Sequence, residues 1–175
     1  MKIVVQTCET WKNGERICEK SSPNEARTCK VLHERGHHVA GLLHDQIRSW
    51  LSGFQKAIGV LQPLQAELLT LLIGLRFAWD QDFVFVQIQF DRPEAVKLIN
   101  ADNASISPIS LVRAIAALHQ KVWATEITWI PRASNLPTDM LAKSVDPSST
   151  DFHELAEPPA ALMPLLSMDA LHMSL

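Results

Sequence analysis

The sequence predicts a mixed α/β domain whose sheet begins with hairpin strands and continues through crossover helices. Three observations carry that expectation. A leucine-rich stretch, LQPLQAELLTLLIGLRFAWDQ at 61–81, repeats apolar residues at helical spacing. FVFVQIQF at 83–90 follows it as a dense run of β-formers. Three further helical patterns and another strand then follow to about residue 145, as crossover units do and all-helical or all-β chains do not.

The first 38 residues have a different texture, polar and charged. MKIVVQTC reads as a strand, with ERICEK its candidate partner across the turn signal Asn13-Gly14, and CKVLHERGHH as a further short strand. VAGLL at 39–43 is a short buried strand by its apolar run, and SWLSGFQKAIG at 49–59 alternates well enough to pair with it across HDQIR. In the leucine-rich helix Pro63 falls in the first turn, where a missing N–H costs nothing, and Leu64, Leu68, Leu71, Leu72 and Leu75 repeat at helical spacing.

The run 83–90 is the central strand. Asp91 follows it and precedes RPEAVKLIN, a helix with Pro93 in its first turn. SPISLVRAIAALHQKV at 107–122 puts Ile109, Val112, Ile115 and Ala116 on one stripe. TEITWI at 125–130 is a strand ended by Pro131, and SNLPTDMLAKSV at 134–145 starts a last short helix. The order is β-β-α-β-α-α-β-α, with room for a strand in front. Beyond it, prolines and scattered apolar clusters read as a tail with a short docking helix. The expected organisation is a divergent segment at 1–38, a domain at 39–146 and a tail at 147–175.

A length of 175 residues suits one such domain with a tail. With 16 basic against 19 acidic residues, the net charge of −3 lacks the basic footprint of a strong electrostatic nucleic-acid binder. It leaves catalysis open, because a site of clustered carboxylates itself pushes the balance acidic. Cys8, Cys18 and Cys29 are odd in number and fit neither a disulfide framework nor paired zinc knuckles, so reduced thiols are expected. No apolar run is long enough for a transmembrane helix, and the N-terminal one is too short for a signal peptide. An intracellular protein is the expectation, with cytoplasm and nucleus unresolved.

His33, His37 and His38 with Cys29 lack a matching second ligand pair, so no zinc site is expected. Trp50, Trp79, Trp123 and Trp129 fall within apolar elements and are expected in the core rather than as base-stacking platforms.

Three carboxylates stand where chemistry is plausible. Asp91 is at the carboxyl end of the central strand, where open α/β sheets place ligands, although an N-cap role explains it equally well. Asp139 lies in the last helix, where a solvated residue is the simpler reading. Glu67 is harder to explain away. It shares a helix side with Leu64 and Leu71, and a carboxylate near a buried face is costly unless paired, hydrogen-bonded or metal-bound.

Around these residues, AELLTLLIGLRFA, VQIQFDRPEAV and IPRASNLPTDMLAK resemble the signature stretches of the type 1 ribonuclease H domain. The likeness is to its plant retroelement-like, or reverse-transcriptase-like, version. In that family they read A-E-x-x-A-L-x-x-G-L, a hydrophobic strand ending S-D, and V-P-R-x-x-N-x-x-A-D-x-L-A. The resemblance spans about residues 39 to 146. It implies a ribonuclease H-like fold, with a mixed five-stranded sheet flanked by helices, that cleaves the RNA strand of RNA–DNA hybrids using Mg²⁺, with Mn²⁺ as a substitute. It further implies that Glu67, Asp91 and Asp139 are catalytic metal ligands and that Arg132 and Asn135 contact nucleic acid.

The chain departs from the pattern in three places. The family's first catalytic aspartate belongs to a D-G-[SA] motif just ahead of the strand matching 39–43, and that interval holds no aspartate here. Glu9 or Glu34 are the carboxylates available to replace it. Trp129 stands where His often precedes V-P-R, and Phe90 where a small Ser precedes the strand-end Asp. The missing aspartate and the weak basic character favour, as the alternative, a catalytically inactive nucleic-acid-binding or interaction module, a retroelement remnant.

Overall fold

In the computed structural model, residues 2–7, 11–12, 15–16, 27–34, 38–45, 49–59, 61–83, 85–90, 92–121, 124–131, 136–145 and 151–171 are described, with side chains from 38 onward except at 139 and 169–171. The elements are β1 (Lys2–Thr7), β2 (Trp11–Lys12), β3 (Glu15–Arg16), β4 (Arg27–Glu34), β5 (His38–Asp45) and β6 (Trp50–Ala57). They continue as α1 (Pro63–Asp80), β7 (Phe85–Phe90), α2 (Pro93–Ile99), α3 (Ser110–His119), β8 (Ala124–Trp129), α4 (Leu136–Lys143), β9 (His153–Leu155) and α5 (Met163–Leu171). No helix among the described residues is long and apolar enough to cross a membrane.

The main sheet has the order β8-β7-β1-β4-β5-β6-β9, and a separate pair joins β2 to β3. Taken without β1 and β9, it is the expected mixed five-stranded sheet, β8-β7-β4-β5-β6. β7 runs parallel to β8, from Phe85↔Ala124 to Phe90↔Trp129, and parallel to β4 at Thr28↔Gln87 and Cys29↔Ile88. β5 is antiparallel to both β4 and β6, with an irregularity at Leu43/His44. The first strand of the five is therefore β4, the RTCKVLHE stretch.

β1 enters differently from expectation. Of ERICEK, the described Glu15 and Arg16 pair with Lys12 and Trp11 and not with β1. β1 lies antiparallel to β4 along its whole length, and its first residues pair with the end of β7 at Ile3↔Phe90 and Val4↔Gln89. It thus stands between β4 and β7 at the carboxyl ends of both, while those two strands touch directly only nearer their amino ends.

Helices cover both faces. Phe54 and Gln55 are neighbours on β6 and point to opposite sides of the sheet. Phe54 meets Phe77 of α1 edge-on at 5.0 Å, whereas Gln55 donates to the Leu141 carbonyl of α4 at 2.8 Å. β5, touched by both helices, is buried over all but its two end residues, which explains why VAGLL is continuously apolar instead of alternating. β7 alternates, with Val86, Ile88 and Phe90 fully buried. Leu68, Leu71 and Leu75 of α1 are fully buried in the same core, as their spacing predicts, and Leu64 packs against it partly exposed.

Two backbone details fix this frame. A side chain at Gly53 would meet the Trp50 ring at 2.5 Å and the Gly41 carbonyl at 2.9 Å, so only glycine lets β5, β6 and that indole lie this close. Past α1, Asp82 takes a left-handed φ of 59°, a conformation Asp tolerates better than most residues, and turns the chain into β7.

The stretch after 146 contributes structure to the domain. β9 pairs with the outer edge of β6 through Gly53↔Leu155, Phe54↔Glu154 and Gln55↔His153. Phe152 stacks on Phe54 at 5.3 Å, the Trp50 indole N–H donates to the Ala156 carbonyl at 3.1 Å, and Leu162 is 1% exposed. An edge that would otherwise present unpaired N–H and C=O groups is covered.

Candidate functional site

Glu67 lies in the second turn of α1, and the helix that carries it has no other acidic residue on its buried face. Its side chain is 5% exposed and forms an ion pair with Arg92, from Nε to Oε1 at 2.6 Å. Arg92 is held there by its neighbours. It follows the end of β7, and Pro93 after it restricts it to extended backbone, observed at φ −111° and ψ 102°. The guanidinium is half in water, 49% exposed, while its carboxylate partner is sealed from it. A carboxylate at this depth is tolerable because a positive group is within hydrogen-bonding reach.

The strand ends beside this pair are locked. Ile130 N–H donates to the Phe90 carbonyl at 2.9 Å, so β7 and β8 stay joined to their last residues. Asn100 at the end of α2 donates to the Ile127 carbonyl at 3.0 Å and ties that helix to β8. Glu67 is thereby brought to the carboxyl end of β7, where the chain leaves the sheet.

Of the residues singled out in the sequence, Glu67 stands at this place. Asp91, Arg132 and Asn135 lie outside the described residues, as do Glu9, Cys8, Cys18, His37 and Trp123. Asp139 is the fourth residue of α4, and its side chain lies outside the described residues. Glu34 ends β4, opposite His38 of β5. The N-cap position of α2 is Arg92, with no side-chain capping hydrogen bond, and the capping alternative for Asp91 lies outside the described residues.

Two features escaped the sequence reading. In the sequence Arg92 is part of a helix start, and its place between a strand-end Asp and a Pro is the one signal that sets it apart. Trp129 was expected in the core and is 52% exposed, on the outer strand beside Phe90. Its neighbour Phe90 is fully covered, since β7 is an inner strand and β8 is the margin. Trp50 and Trp79 do pack against the core.

Among the described residues no group of three or more His, Cys, Asp and Glu side chains is arranged to hold a metal ion. The donor chemistry of Glu67 nevertheless fits a hard divalent cation, which takes carboxylate oxygens and would neutralise a charge buried this deeply. In this structure that counter-charge comes from Arg92.

Comparison with known proteins places this architecture. The family described as reverse transcriptase-like matches residues 24–145. An Arabidopsis thaliana protein named "Putative ribonuclease H protein" is 33% identical over 134 residues, which are 76% of this chain and 22% of that protein. The chain thus spans about a fifth of the length of the curated relative it matches. Among solved structures, ribonuclease H1 of the halophilic archaeon Halobacterium salinarum superposes with a TM-score of 0.52 at 22% identity, over 71% of this chain and 89% of that one. The N-terminal ribonuclease H domain of a Mycobacterium tuberculosis protein, solved as a fusion with maltose-binding protein, gives 0.53 at 16% identity over 96% of both chains. At these identities the two structures establish the fold.

Proposed function

The chain belongs to the reverse transcriptase-like family of ribonuclease H-like domains, and from that premise we propose that it binds RNA–DNA hybrids and hydrolyses their RNA strand endonucleolytically with a divalent metal. The observation that carries the proposal is Glu67, a carboxylate kept at 5% exposure on the otherwise uncharged buried face of α1, at the carboxyl end of β7. A leucine there would pack without cost, so a charge at that depth argues for a job beyond folding.

In this reading Glu67, Asp91 and Asp139 hold Mg²⁺, or Mn²⁺ in its place. The chemistry supplied by bound divalent ions in phosphodiester hydrolysis is activation of water and stabilisation of the leaving oxygen. Arg132 and Asn135 contact the sugar-phosphate backbone, and the half-exposed Trp129 beside β7 offers an apolar surface to a sugar or base. Recognition rests on duplex shape and 2′-hydroxyls rather than base sequence, consistent with a chain that lacks a strong positive charge. The family and the Arabidopsis relative support a plant retroelement-like origin within a longer protein.

One observation favours a second reading, a hybrid-binding module without cleavage. β4, the strand parallel to β7 where the first catalytic aspartate belongs, is RTCKVLHE and contains no aspartate. One experiment separates the two. A labelled RNA–DNA hybrid is incubated in Mg²⁺ or Mn²⁺ with the wild-type chain and with Glu67→Gln, Asp91→Asn and Asp139→Asn variants. Cleavage by the wild type and its loss in the variants is the expected result. Equal background from all four proteins sinks the nuclease reading, and a gel shift in the same samples then decides for binding alone.

A further inference from the structure

The two partners of the Glu67–Arg92 ion pair have unequal surroundings. The carboxylate is 5% exposed and cannot be left without a counter-charge, whereas the guanidinium is 49% exposed and can turn into water at small cost. The backbone of Arg92 is fixed in its extended form by Pro93, so a change of partner needs only rotation about side-chain bonds. The place therefore requires a cation at Glu67 without being committed to one cation.

We propose that the Arg92 guanidinium is a resident counter-ion that a divalent cation must displace from Glu67, so that Arg92 sets the metal affinity of the site. This rests on the reading of Glu67 as a metal ligand. Exchange involves no covalent step: one ion pair opens, the divalent ion gives up part of its hydration shell, and the carboxylate oxygen changes partner. The consequence is a site that binds metal weakly at rest, through a residue that is not itself a ligand.

The test reads metal binding and not cleavage. Mn²⁺ is titrated into the full chain and followed by the loss of its free electron-paramagnetic-resonance signal, with thermal unfolding measured in parallel. The proteins are the wild type, Arg92→Ser, Arg92→Gln, Glu67→Gln and the double variant Arg92→Gln/Glu67→Gln. Both single Arg92 variants should bind Mn²⁺ at least tenfold more tightly than the wild type and gain more thermal stability from it, and the double variant should lose that gain. Arg92→Gln keeps length and hydrogen-bond donors and so serves if Arg92→Ser unfolds; recovery of a folded Arg92→Ser on adding Mn²⁺ also supports the proposal. Equal affinity in wild type and Arg92 variants overturns it, and if Glu67→Gln then weakens binding, the ligand reading of Glu67 survives. A gain that persists in the double variant overturns both, because the ion is then held elsewhere.

Discussion

Phe152 lies beyond the family-matched segment, which ends at residue 145, yet it stacks on Phe54 and leans on Phe77 at 5.7 Å. Cutting it to alanine tests whether the last residues belong to the folded unit. The residue is 42% exposed, so a little over half of its surface is covered. An aromatic side chain offers about 200 Å² to bury, so roughly 115 Å² is at stake here. At about 25 cal/mol per Å² that is ~3 kcal/mol, and allowing for a partly collapsed unfolded chain brings it to ~2 kcal/mol. For a domain of this size the melting temperature should fall by about 4–8 °C. Phe152→Leu should lose only about half as much, since it keeps apolar area but no ring contacts. Thermal unfolding by circular dichroism measures both. If Phe152→Ala melts within a degree of wild type, β9 and its flanking ring do not hold the edge of β6, and the structural account of this region is wrong.

Other perturbations follow from the same geometry. Arg92→Ala should destabilise by about 3 kcal/mol in urea unfolding, because it takes the arginine away from a buried carboxylate, while Glu67→Gln should cost only about 1 kcal/mol, because the arginine it releases is already half in water. Equal costs would contradict the unequal burial. Gly53→Ala should cost about 1–3 kcal/mol, since its Cβ would stand 2.5 Å from the Trp50 ring and 2.9 Å from a backbone carbonyl; an unchanged urea midpoint would show that β5 and β6 have room to spare. The His119 ring is held below its ordinary value of 6.5 by burial, and its Nε2 has no hydrogen-bond partner. The unfolded chain therefore takes up the proton first as pH falls. The contribution from His119 is whole above 6.5 and is lost below it, down through the lowered folded value, so stability should drop as pH falls below 6.5. His119→Gln should flatten that slope, and an unaltered slope would remove the histidine from the explanation.

The second half of the fold was readable because its periods are long and clean. Leu68, Leu71 and Leu75 mark α1, and the run through Val86, Ile88 and Phe90 marks β7. Each pattern is set by one face meeting one core, which local sequence records. The front was less readable because pairing partners are a matter of register between distant residues. Asn13-Gly14 is a turn signal in the sequence, but nothing local says that Lys2–Thr7 pairs with Arg27–Glu34 and with the end of β7 instead of with Glu15 and Arg16. Three-residue β9 has too few positions to show alternation, and it exists because the edge of β6 is there to receive it.

At the site, Glu67 was legible because a charge inside a leucine stripe breaks its own pattern. Arg92 was not, because an arginine at a helix start looks like any surface cation until the fold brings it to the carboxylate. Trp129 misled for the opposite reason. An apolar strand sequence records that a residue can be buried, and only sheet order shows that β8 is at the margin.

The position of β1 has a bearing on the missing aspartate. Neighbouring strands are about 4.8 Å apart, so a strand interposed between β4 and β7 sets their carboxyl ends about 10 Å apart instead. Oxygen ligands sit only about 2–2.6 Å from a shared Mg²⁺ or Ca²⁺. Continuing the direct register of Thr28↔Gln87 along both strands would set position 34 level with position 93, just past the exit of β7. The N-terminal strand is thus a spacer: in this structure it separates the end of β4, with Glu34, from the exit of β7 by one strand.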